Sequence, residues 1–175
     1  MIFKASSLAM SREDAIRIAQ KKGSWIGRLL VSKDLSKVEL SYFPFYRVNL
    51  NLEIASRKLP FSTKKKFSSK ISVLVSGTTG QASIIDKFPV LHEEDSDQKN
   101  IIEPYVPQEK VVESATKCAS RFIIRRARAV PLVKSVQTEL LFRPYWVAYY
   151  GEIIEGQKIH YLPIQADGYR TATST

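Results

Sequence analysis

One cysteine, Cys118, and two histidines, His92 and His160, are all the thiol and imidazole that the 175 residues contain. An internal disulfide is therefore excluded, and a structural zinc site would lack its usual set of soft and imidazole donors. Seven glycines and eight prolines are too few for a collagen-like or low-complexity chain. No apolar run approaches the ~20 residues that a membrane-spanning helix needs. Residues 1–10 lack a basic stretch followed by a long apolar core, so they do not read as an export signal. One thiol and no such signal predict a reducing, cytoplasmic setting. Nothing calls for a cofactor or a metal, and none is expected.

What the chain has is a normal globular composition, 44% apolar and 25% charged, with a formal charge of +10 and a pI near 9.7. The charge is unevenly placed. Residues 1–70 carry 15 basic and 5 acidic side chains, whereas residues 71–175 carry 12 of each. Much of the excess lies in Arg57, Lys58, Lys64, Lys65, Lys66 and Lys70, with Phe61 and Phe67 between them. Such a basic loop, 57–70, has the residue types that grip phosphates and stack on bases. An anionic membrane surface or an acidic protein would suit it too, and a solvated hairpin loop needs no ligand at all. Between Leu91 and Asn100 the sign reverses, with Glu93, Glu94, Asp95 and Asp97 beside His92; this reads as an acidic linker.

On either side of that linker the chain repeats itself. Ser11 caps a helical stretch with acids Glu13 and Asp14 in its first turn and Gly23 as its stop. The second statement opens with Pro107 and carries Val111, Ala115, Cys118, Ala119, Phe122 and Ile123 at helical spacing. After each helix comes a strand pattern. From Val38 to Ile54 every even position is apolar or proline, and Leu140, Phe142, Pro144, Trp146, Ala148 and Tyr150 repeat the device. A period of two predicts strands with one face on the core. Phe43-Pro44-Phe45-Tyr46 matches Arg143-Pro144-Tyr145-Trp146, and each proline implies an edge, a bulge or a bend. Residues 71–86 then read as strand, glycine turn and strand, with 158–170 as a worn copy. The expected fold is α+β: two similar units, each a helix packed on a three- to four-stranded antiparallel sheet. Their bounds are 8–88, a linker over 89–106, and 107–175.

The helix with Ala15-Ile16-Arg17-Ile18-Ala19, the tyrosine-bearing strand and the closing Ser76-Gly77-Thr78-Thr79-Gly80-Gln81-Ala82 resemble the PepSY-type unit. The likeness covers most of residues 11–86 and, more weakly, 107–171. Ser76 stands where that family usually has Asp, and the second copy lacks the second turn glycine. The resemblance implies a cystatin-like helix-on-sheet fold and a non-catalytic, binding or peptidase-modulating role.

Catalytic chemistry finds little support in the residues. Cys118 lies on the apolar stripe of its helix, where a thiol is structural. His92 and His160 have no Cys, Asp or His at metal or triad spacing, and Asp14, Asp86 and Asp167 suit caps and turns. Gly77-Thr78-Thr79-Gly80 lacks the Lys-Ser/Thr and helix of a phosphate loop. If even positions face the core, Phe43, Phe45 and Arg47 fall on the opposite face, with Arg143 and Tyr145 at the matching places. Aromatics beside arginine are enriched at protein contacts. The expected function is therefore non-catalytic binding or regulation of a protein partner through these five residues. A nucleic-acid role for the basic loop is the alternative, and an uncharacterised enzyme comes third.

Overall fold

The computed structural model describes residues 1–27, 34–55, 66–152, 154, 156 and 159–169. In chain order it shows β1 (Ile2–Ser6), α1 (Arg12–Gly27), β2 (Leu35–Ala55), β3 (Lys66–Ser76), β4 (Ala82–Ile84), β5 (Leu91–Asp95), a 3-10 turn (Gln98–Asn100), α2 (Gln108–Ala127), β6 (Pro131–Tyr150) and β7 (His160–Gln165). The expected pair of separate helix-on-sheet units is not what forms. Among the described residues the protein has two helices and one seven-stranded mixed sheet. Its strand order is β4-β3-β2-β6-β1-β5, with β7 also paired to β6. The physical reason lies in the two long strands: β2 and β6 are neighbours, so the two halves of the sequence share one ladder instead of each closing its own. The sheet is mixed because β1 runs parallel to β6 at Ala5 and Phe142. The acidic stretch read as linker contributes β5, which pairs antiparallel with β1, Lys4 lying opposite Glu93.

The helices obey their end signals in part. The Asp14 amide donates to Ser11 Oγ at 3.1 Å, as an N-cap requires. α1 nevertheless continues past Gly23 to Gly27. α2 begins directly after Pro107 and ends at Arg128, a left-handed residue whose amide donates to the Ile124 carbonyl. Between β3 and β4, Gly80 sits at φ +72°, a conformation that favours glycine, and Ser76 and Gln81 close the turn.

The chain forms two compact units. Unit 1 comprises Met1–Phe43, Pro89–Ile102 and Phe142–Tyr169; unit 2 contains Pro44–Phe88 and Glu103–Leu141. In unit 2, Val111, Ala115, Ala119 and Ile123 of α2 pack on Val48, Leu50, Leu52, Ile71, Val73 and Val75. In unit 1, Ala15 and Ala19 of α1 pack on Val38, Trp146, Ala148 and Ile164. Small residues on α1 let its backbone approach the rings of the sheet; the Tyr150 hydroxyl donates to the Ala19 carbonyl at 2.9 Å. Phe3 meets Tyr42 and Phe142 edge-on, each at 5.0 Å between centroids. The even positions of β2 thus face the cores, as the alternation predicts.

Both prolines of the repeated motif are buried within strands. Each sits where its strand changes neighbour. β2 bridges Ile101 at Tyr42 and begins its β3 ladder at Phe45; β6 touches β1 at Phe142 and begins its β7 ladder at Tyr145. The amide that proline lacks falls in the gap, and its carbonyl still accepts a bond, from Gly77 at Pro44 and from Ala166 at Pro144.

Candidate functional site

The residues expected to form a contact patch part company. Arg143 is 1% exposed and belongs to a buried ion pair, so it is not a surface contact residue. Its Nε donates to Asp167 Oδ2 at 2.7 Å and its Nη2 to Oδ1 at 2.9 Å, with a further bond from Nη2 to the Tyr169 carbonyl. Ser6 Oγ, Gln165 Nε2 and the Tyr169 amide also donate to this carboxylate. Burial alone would raise the Asp167 pKa, but the bonds and charge of Arg143 outweigh it and hold the carboxyl below its ordinary value. The sequence-level reading of Asp167 as a turn residue is true of its bond to Tyr169, and incomplete.

Above this pair lies a face of unit 1 that α1 does not cover. Since Trp146, Ala148 and Ile164 point at α1, the alternate residues of β6 and β7 point away from it. In register, Tyr145 lies opposite Gln165, Val147 opposite Pro163, and Tyr149 opposite Tyr161. Phe43 adds its ring to Tyr145 with centroids 5.0 Å apart and planes tilted by 59°. Tyr161 is 60% exposed, Phe43, Tyr145 and Tyr149 are half-buried, and Val147 between them is buried. Burial pushes the Tyr145 and Tyr149 hydroxyls up, helped at Tyr149 by the charge of Glu39. Glu39 itself pairs with Lys37 at 2.5 Å. Tyr149 and Tyr161 were missed in the sequence. Tyr149 shares the odd parity of Tyr145 and was legible; Tyr161 needed the β6–β7 register.

Phe45 and Arg47 belong to unit 2. Phe45 is half-buried. Arg47 bonds Glu139 and lies 4.7 Å over the Phe88 ring. The rest of that face is polar: Asn51 donates to Ser135 at 2.6 Å, Ser72 to Asn49 at 2.7 Å, and Lys134 pairs with Glu53 at 3.2 Å. Lys134 and Ser135 of β6 both reach partners on β2, while Val133 packs on the α2 core.

Of the basic loop, Arg57, Lys58, Lys64 and Lys65 lie outside the described residues, as does the side chain of Lys66. Lys70 is exposed on β3 opposite Asn51. Cys118 is half-buried with its thiol against the Ala82 carbonyl, and burial raises its pKa. His92 Nε2 lies 2.9 Å from Glu94 Oε2, and its Nδ1 lies 3.4 Å from Ser7 Oγ. That serine contact is longer than an effective O–H···N bond. Glu94 also accepts from Tyr42, whose hydroxyl is pushed up to about 12 by burial and then by that carboxylate. The Tyr42–Glu94 bond ties β5 to the aromatic cluster, and the backbone ladder ties β5 to β1. Among the described residues no His, Cys, Asp and Glu cluster could hold a metal ion. Nor is any described helix long and apolar enough to cross a membrane.

No family model, curated protein or solved structure matches this chain.

Proposed function

We propose that this protein is a non-catalytic binding module that engages a protein partner through the aromatic face of unit 1. The observation that carries the reading is the half-buried Phe43–Tyr145 pair, on the same side of the sheet as the buried Arg143–Asp167 ion pair and away from α1. Rings held by a rigid support lose little side-chain entropy on contact, which is why tyrosines dominate the energetics of many interfaces. The described cations here, Lys37 and Arg143, are matched by carboxylates, so the face offers little to a polyanion.

The test is affinity capture with the full chain, comparing wild type with Phe43→Ala, Tyr145→Ala and Tyr161→Ala. A specific protein should be recovered whose yield falls about tenfold or more in the variants while their melting temperatures stay within a few degrees of wild type. Equal recovery by wild type and by all three folded variants overturns the reading.

A further inference from the structure

A second surface, on unit 2 and independent of the aromatic face, has a chemistry of its own. We propose that the C-terminal end of α2 and the turn into β6 dock on an anionic lipid membrane, the arginines meeting headgroup phosphates while the aliphatic side chains among them enter the acyl boundary.

Three observations point there. The first is charge. Residues 114–138 hold Lys117, Arg121, Arg125, Arg126, Arg128 and Lys134 and no acidic side chain. Lys117 pairs with Glu113, and Lys134 with Glu53. The four arginines are exposed, and among the described residues none of them has a carboxylate partner. β3 and β4, on which α2 packs, contain no acid either. The helix dipole accounts for cations in the last turn, Arg125 and Arg126, but not for Arg121 a turn earlier. Arg121 and Arg125 are like charges at i and i+4, an arrangement that costs an isolated helix stability and that an anionic surface relieves. The second is apolar exposure in the midst of this charge. Ile124 is exposed between Arg121 and Arg125 on one ridge of α2, and Val130, 78% exposed, and Leu132 follow directly after Arg128. Arginines interleaved with exposed aliphatic side chains are the composition by which interfacial segments hold to anionic bilayers, each cation near the surface adding roughly fivefold in affinity. The third separates lipid from nucleic acid. A strand of nucleic acid would use the same cations, but Ile124, Val130 and Leu132 offer it no ring on which a base could stack.

The experiment sediments the full chain with vesicles of phosphatidylcholine alone and with vesicles containing phosphatidylserine, and separately titrates it with oligothymidine. Sedimentation should require phosphatidylserine and weaken steeply with salt. Arg121→Gln combined with Arg125→Gln should lower vesicle affinity about tenfold or more, and Val130→Asn a few-fold. All three positions are exposed, so the variants should fold, and unchanged thermal melting checks this. Failure of the wild type to sediment with phosphatidylserine vesicles overturns the proposal, as does sedimentation indifferent to the arginine pair. Sedimentation unchanged by Val130→Asn overturns it too, and oligothymidine binding that depends on the same arginines would then make this a nucleic-acid surface. A loss with Val130→Asn supports the lipid site whether or not oligothymidine also binds.

Discussion

Arg47, three residues after Pro44, and Arg143, directly before Pro144, share odd parity on the two long strands, yet they meet opposite fates. Arg143 is sealed in with Asp167 and carries the aromatic face of unit 1. Arg47, with about 30% of its side chain exposed, shares Glu139 and the Phe88 ring on a polar face of unit 2. The residue type does not decide which outcome arises. What decides it is whether the neighbouring strand ends in a residue able to neutralise the guanidinium away from water. The turn after β7 delivers Asp167, backed by Ser6 and Gln165, whereas β6 delivers Glu139, whose side chain is itself about 29% exposed, onto a polar face.

The contrast is easiest to break at Arg143. Arg143→Ala strands a buried carboxylate and should cost about 3–5 kcal/mol in urea unfolding, whereas replacing Arg143 and Asp167 together by Met and Leu should recover most of that loss. The same pair sets an acid limit. Asp167 has a native pKa below its unfolded value, so its contribution is complete above the unfolded value, near pH 4. It is lost as the pH falls through the depressed native value. Stability measured from pH 5 downward should therefore fall less steeply in Asp167→Asn than in wild type, and equal slopes would refute the coupling.

The two prolines allow a second comparison. Ala166 already carries a Cβ where it bonds Pro144. Gly77 bonds Pro44 so closely that an added Cβ would lie 3.0 Å from the proline Cβ and carbonyl oxygen. Gly77→Ala should destabilise by about 1–3 kcal/mol, read as a lower denaturation midpoint. The smallest effect is expected at Arg47. A double-mutant cycle with Glu139 should give a coupling below about 1 kcal/mol that shrinks in high salt. A coupling as large as that of Arg143 would erase the distinction between the two sites.

Much of this was legible from alternation and end signals. The even positions of β2, the start of α2 and the turn at Gly80 needed only local rules. The sheet's composition was not, because it depends on β2 lying beside β6 and on β1 lying parallel to it, and neither is encoded within a short window. Residues 93–95 looked like linker because their charges are conspicuous. Their pairing with β1, where Lys4 faces Glu93, is a long-range fact. Arg143 was misplaced for a related reason. Parity located its side of the strand correctly, but exposure depends on Asp167, 24 residues later, and on Ser6 at the other end of the chain.

β2 passes from unit 1 into unit 2 between Phe43 and Pro44, and β6 makes the return between Leu141 and Phe142. Neither body is a continuous stretch of polypeptide, so no single scission releases either one whole. Dissecting the molecule into expressible fragments at any point in the sequence would sever a strand or orphan its neighbours. Melting should accordingly show one shared transition, with slow refolding, because distant parts of the chain must meet before either core can close.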